Sequence, residues 1–81
     1  MGKGRNRIRN RIRELRFANR EMTQAELAAL VGVTRQTVIA MERGKYSPSL
    51  EVAFRTAEVL GVPLTDVFQY GEKENGEPEG V

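Results

Sequence analysis

The chain contains neither cysteine nor histidine among its 81 residues. Without cysteine there is no disulfide and no thiolate metal site. Without histidine the commonest general base and the commonest metal ligand are both missing. A Gly-rich phosphate loop followed by Lys-Ser or Lys-Thr is absent as well, so the residues offer no nucleophile–base constellation. An enzyme is therefore disfavoured, and no catalytic residue, cofactor or metal ligand is expected. No apolar run approaches the roughly 18 to 20 residues needed to span a bilayer, and the arginine-rich start lacks the apolar segment of a secretory signal. The expectation is a cytoplasmic protein without membrane association. A chain of this length is one small domain, near the size at which a single core is marginally sufficient. No second domain that could hold a small-molecule effector is expected.

What the chain does have is charge, unevenly spread. The formal net charge is only +2. Yet residues 1–20 carry eight basic side chains (Lys3, Arg5, Arg7, Arg9, Arg11, Arg13, Arg16 and Arg20) against Glu14 alone, a balance of +7. Residues 70–81 carry Glu72, Glu74, Glu77 and Glu79 against Lys73, a balance of −3. Such polarity speaks to partners and solubility rather than to fold, and a basic end commonly faces a polyanion. A charge run is ordinarily a solvated surface. Here so many arginines would repel one another unless something anionic lies nearby, which points to phosphate contact by part of the segment.

The chain is organised around Thr23 to Gly44, TQAELAALVGVTRQTVIAMERG. Thr23 with Glu26 three residues later is a capping box, in which hydroxyl and carboxylate each satisfy an otherwise unpaired backbone N–H, so a helix begins at Gln24. Thr34 is a second N-cap for a helix over Arg35 to Arg43, closed by Gly44. Gly32 falls between them, where the backbone must reverse and only a residue without a Cβ takes positive φ freely. Val38 and Met41, three apart, share one face and can pack onto Leu27, Ala28 and Val31. The opposite face presents Arg35, Gln36, Thr37, Ile39 and Ala40.

Elsewhere the pattern is helical too. Met1 to Gly4 reads as a mobile arm. Ile8, Ile12 and Leu15 form a stripe of four-then-three spacing that predicts a helix from about Arg5 to Asn19. Ser49 is a cap for a helix over Leu50 to Leu60, ended by Gly61, with Leu50, Ala53, Ala57 and Leu60 as its inner stripe and Phe54 at the edge. Leu64 to Phe68 supplies a last short helix. From Gly71 to Val81 the sequence is polar and Gly/Pro-rich, and is expected to be a disordered acidic tail. The expected fold is all-α, with five helices and no strand, over a domain of residues 5–70.

The segment from about Ile8 to Phe68 resembles the Cro and phage-repressor-like helix-turn-helix family, also called the xenobiotic-response-element family of transcriptional regulators. The resemblance rests on TQAELA, on Gly32 in the turn, on TRQTVIAMERG, and on SPSLE followed by LGVPLTDVF. It implies a five-helix lambda-repressor-like domain whose helix-turn-helix spans the second and third helices. It further implies binding of double-stranded DNA as a two-fold dimer.

By the same resemblance, Gln24 meets a DNA phosphate with its amide and backbone N–H, which suits the partial positive charge of a helix N-terminus. Thr34, Arg35 and Gln36 open the recognition helix, whose N-terminal end enters the major groove. Arginine can hold guanine O6 and N7, and glutamine adenine N6 and N7, so Arg35 and Gln36 are expected to carry most direct readout. Ala40 can meet a thymine methyl, and Thr37 can serve phosphate or base. Arg43, Lys45 and Ser47 are phosphate candidates beside that helix. Ile39 stands where the family usually has a polar residue; contact with a sugar or methyl and packing on Tyr46 are both open. Arg16 and Glu42 resemble a buried ion pair that ties the first helix to the recognition helix.

A homodimer is expected through the C-terminal helices, where Val59, Val62, Leu64, Val67, Phe68 and Tyr70 offer more apolar surface than a lone domain needs. The rival reading is an antitoxin or protein-interaction adaptor using the same motif for autoregulation, although no toxin-binding extension is evident. RNA is disfavoured, because a narrow A-form major groove excludes the recognition helix.

Overall fold

Residues 7–71 are the part of the chain that the computed structural model describes. They form β1 (Ile8–Asn10), α1 (Ile12–Ala18), α2 (Gln24–Val31), α3 (Arg35–Glu42), α4 (Leu50–Leu60), α5 (Leu64–Val67) and β2 (Phe68–Tyr70). The expected mobile arm at residues 1–4 and all of the expected tail except Gly71 lie outside the described residues.

Three of the helices begin where side chains cap them. In α2 both halves of the capping box are present: the Glu26 N–H donates to Thr23 Oγ1 at 3.0 Å, and the Thr23 N–H to Glu26 Oε1 at 2.9 Å. Thr34 caps α3 through the Thr37 N–H at 3.1 Å, and Ser49 caps α4 through the Val52 N–H at 3.2 Å. Each cap satisfies donors that no turn of helix precedes, and is worth about 1 kcal/mol.

The core lies where α2, α3 and α4 meet. Ile12, Leu27, Val31, Val38, Met41 and Val67 are fully buried, with Ala28, Ala57 and Leu60 beside them. Each large aliphatic side chain removed from water in this way contributes about 1.5–3 kcal/mol. Small residues at Ala28 and Ala57 allow close approach of the helices that carry them.

Gly32 ends α2 with φ +90°. A Cβ added there would also sit 3.0 Å from Arg55 Nη1, which donates to the Val31 carbonyl at 2.8 Å. That guanidinium answers an orphan carbonyl at the negative end of the α2 dipole, joining α4 to the turn. Gly32→Ala is therefore expected to cost about 1–2 kcal/mol through backbone strain, more if the Arg55 contact is lost. A urea midpoint equal to the parent's would refute this.

Four expectations need correction. First, there are strands: β1 pairs antiparallel with β2 in the register Ile8↔Tyr70, Arg9↔Gln69, Asn10↔Phe68. The first helix accordingly starts at Ile12 rather than near Arg5, and Ile8 lies in the sheet. Asn10 helps set this boundary, for its Oδ1 accepts the Ile12 N–H at 3.1 Å while its Nδ2 donates to the Met41 carbonyl at 2.9 Å. Second, Leu50 is not in the inner stripe of α4 but 68% exposed, and Phe54 is exposed as well. The buried face is Ala53, Thr56, Ala57 and Leu60, with polar Thr56 accommodated because its hydroxyl donates to the Val52 carbonyl at 2.7 Å. Third, Val67 is fully buried in the core and is unavailable to a partner. Fourth, Gly71 does not begin a loose tail. It is buried, its N–H donates to the Arg7 carbonyl at 2.8 Å, and its own carbonyl accepts from Arg9 Nε at 2.6 Å.

Candidate nucleic-acid interface

Helix α3 is held from below and open above. Val38 and Met41 anchor it in the core, while Arg35 and Gln36, in its first turn, are exposed. Neither has an ion pair or side-chain hydrogen bond among the described residues, so their donors are available. Thr34 and Thr37 are largely occupied with each other: besides the cap, their hydroxyls are 3.0 Å apart. Ala40 and Ile39 are half-buried; Arg43, Lys45 and Ser47 are exposed.

Residues four apart on a helix share a face, which divides the open side of α3 into two stripes. Arg35, Ile39 and Arg43 line an open cleft of about 690 Å³ together with Arg13, Arg16, Phe17, Glu21, Met22, Thr23, Gln24, Ala25 and Glu42. Gln36 and Ala40 lie on the adjoining stripe and do not line it, nor do Thr37, Lys45 or Ser47. The structure thus brings Gln24, Arg35 and Arg43 around one depression and leaves the other expected contacts on the surface beyond.

The cleft rests on an ion pair. Arg16 Nε donates to Glu42 Oε2 at 2.7 Å and Nη2 to Glu42 Oε1 at 3.3 Å, and Arg16 Nη1 reaches the Met22 carbonyl at 2.8 Å. The arginine is only 6% exposed. Gln24 Nε2 joins the network, donating to Glu42 Oε1 at 3.1 Å. Part of its amide is thereby committed within the protein. Among the described residues the peptide N–H groups of Gln24 and Ala25 have no partner in the first turn of α2, because the capping box serves those of Thr23 and Glu26. Four arginines against two glutamates leave the cleft lining with a net charge of +2. It is an anion-attracting surface beside the open face of α3.

The arginines of the first segment are divided among several tasks. Arg16 is in the ion pair. Arg11 pairs with Glu14 at 2.9 Å, Arg9 holds Gly71, and Arg7 lies 5.8 Å from the Tyr70 ring centroid. Arg13 and Phe17 were not singled out by sequence reasoning, yet both line the cleft. Their four-residue spacing on α1 was the available signal, masked by the uniform run of arginine around it.

The helix-turn-helix family profile matches residues 12–67, from α1 through α5. An uncharacterized HTH-type transcriptional regulator of Archaeoglobus fulgidus is 46% identical over 67 residues, covering 83% of this chain and 93% of its own length. One from Methanocaldococcus jannaschii is 45% identical over 67 residues, covering 83% of this chain and all of its own. Among solved structures, the restriction-modification controller protein C.AhdI from Aeromonas hydrophila superposes with a TM-score of 0.63 at 34% identity, over 68% of this chain and 82% of that one. None of the described helices is long and apolar enough to cross a membrane.

Proposed function

The chain belongs to the helix-turn-helix family of DNA-binding transcriptional regulators, and from that premise we propose that it acts in the cytoplasm as a homodimer on a palindromic operator. The observation that carries this reading is the free first turn of α3. Arg35 and Gln36 stand exposed, and unpaired among the described residues, on a helix that buried Val38 and Met41 anchor in the core.

In the proposed complex that turn enters the major groove, where Arg35 grips guanine and Gln36 adenine. Ala40, one turn on from Gln36, meets a thymine methyl. The peptide N–H groups at the start of α2, with the remaining N–H of the Gln24 amide, take a backbone phosphate. Lys45 and Ser47, beyond the cleft, and Arg43, at its wall, hold phosphates and set register rather than sequence. Thr34 and Thr37, whose hydroxyls serve each other, contribute as a unit to the fit of the helix start.

One copy reads one half-site. Two copies with recognition helices roughly 34 Å apart read both halves of a palindrome and combine their affinities. The half-buried Val59, Val62, Leu64 and Phe68, with Tyr70 exposed, support pairing through the C-terminal elements. Selection of bound sites from random duplexes should yield an inverted repeat. A single unrepeated motif, or sedimentation as a monomer at micromolar concentration with and without the selected duplex, would refute the dimer. Equal retention of every duplex would refute the specific readout.

A further inference from the structure

Two features of the cleft are unexplained by the contacts assigned above. Phe17 is a large apolar ring left 52% exposed to water. Arg13, one turn before it on α1, has no ion pair among the described residues although it lines a cleft that contains two carboxylates. The two side chains meet: the Arg13 guanidinium lies 5.6 Å from the Phe17 ring centroid, and that of Arg16 lies 5.3 Å from the same ring. An aromatic face attracts a guanidinium while leaving its N–H donors free at the edges. Phe17 therefore holds Arg13 in place without consuming its hydrogen-bonding capacity. Salt-bridged Arg16 is poorly placed for the same work, since Glu42 and the Met22 carbonyl take three of its five N–H donors and the side chain is buried.

We propose that Arg13, pre-placed by stacking on Phe17, is a backbone-phosphate contact for duplex DNA, forming the α1 wall of a seat completed by the Gln24 and Ala25 N–H groups and by Arg35 and Arg43 across the cleft. The inference rests on the duplex-binding reading above. Glu21, at the α1–α2 turn, is the lining carboxylate without an ion pair among the described residues, and with Arg16 paired to Glu42 the other three arginines outnumber it. Holding a long flexible side chain in its bound position beforehand lowers the entropy lost on binding. This accounts for an aromatic residue kept at a wet position.

The test compares the full chain with Arg13→Gln, Arg13→Lys and Phe17→Leu on a duplex recovered by selection and on a scrambled duplex, across a range of salt. Arg13→Gln should weaken both duplexes by the same factor and make the slope of log K against log salt shallower by about 0.9 for each copy bound. Arg13→Lys should restore the slope. Phe17→Leu should keep the parent slope yet weaken both duplexes, because the charge remains but is no longer pre-placed. A parent-like slope and affinity in Arg13→Gln would overturn the proposal, as would a loss confined to the selected duplex. If the parent itself held neither duplex, the duplex-binding reading would be the one to fail. Melting temperatures of the two Arg13 variants should match the parent's, since that side chain is exposed, and that of Phe17→Leu separates any loss of the Arg16 stack from the loss of binding.

Discussion

Glu42→Ala is expected to lower the stability of the protein by about 3–5 kcal/mol. Removing the carboxylate strands Arg16, nearly buried, with the Met22 carbonyl as its remaining hydrogen-bond partner, and also releases the Gln24 amide. A cation deprived of its counter-charge in low dielectric costs far more than the lost attraction alone. For a domain of this length the whole stability is of order 4–12 kcal/mol, so the variant approaches the threshold of folding. Urea denaturation measures it, and a midpoint within experimental error of the parent's would contradict the argument. Arg16→Met combined with Glu42→Leu should recover much of the loss, because well-packed apolar replacements avoid the desolvation of both charges. The ion pair is then a device that fixes α1 against α3, rather than a large net source of stability.

Arg35→Ala is expected to remove about 1–3 kcal/mol of base discrimination from each half-site, and about twice that from a two-fold dimer on its operator. Arg35 is exposed and has no ion pair among the described residues, so its removal should leave folding unchanged. Competition between a selected duplex and one altered at the contacted base pair measures the ratio directly. An unchanged ratio would take Arg35 out of direct readout and assign it to the cleft that it also lines. Lys45→Ala provides the contrast: it should weaken all duplexes alike and reduce the salt slope by about one per copy. The distinction matters because one stripe of α3 contains Arg35 with Ile39 and Arg43, and the adjoining stripe contains Gln36 with Ala40. The former faces the cleft, which apolar Ile39 lines together with Phe17 and Met22.

Much of the helix-turn-helix was legible beforehand because its determinants are local. Thr23 with Glu26, Thr34 with Thr37 and Ser49 with Val52 are bonds across three residues, so a short window contains both partners. Gly32 was legible for the same reason, since a reversal between two helices demands a residue that tolerates positive φ. Arg35 and Gln36 follow from their position at the start of α3. Leu50 was misassigned because periodicity locates an apolar stripe only approximately, whereas the true buried face of α4 is selected by the helices packed against it. Polar Thr56 lies on that face and bonds its own backbone, a combination that an apolar pattern discards.

By itself, then, the order of residues determined where α2, α3 and α4 start and stop, which sides of α2 and α3 turn inward, and that a basic segment precedes them. Hydrogen bonds and steric limits between near neighbours act in any environment, and so they can be deduced from neighbours alone. Only the folded chain decided that Ile8–Asn10 is a strand, since its partner Phe68–Tyr70 is about 60 positions away. The same holds for the engagement of Gln24 with Glu42, the reach of Arg55 to the Val31 carbonyl, and the sorting of the arginines into ion pair, sheet clamp and stacked cation. A guanidinium has the same chemistry at every position; its role is set by whatever acceptor, ring or open space the packing of distant segments brings within reach.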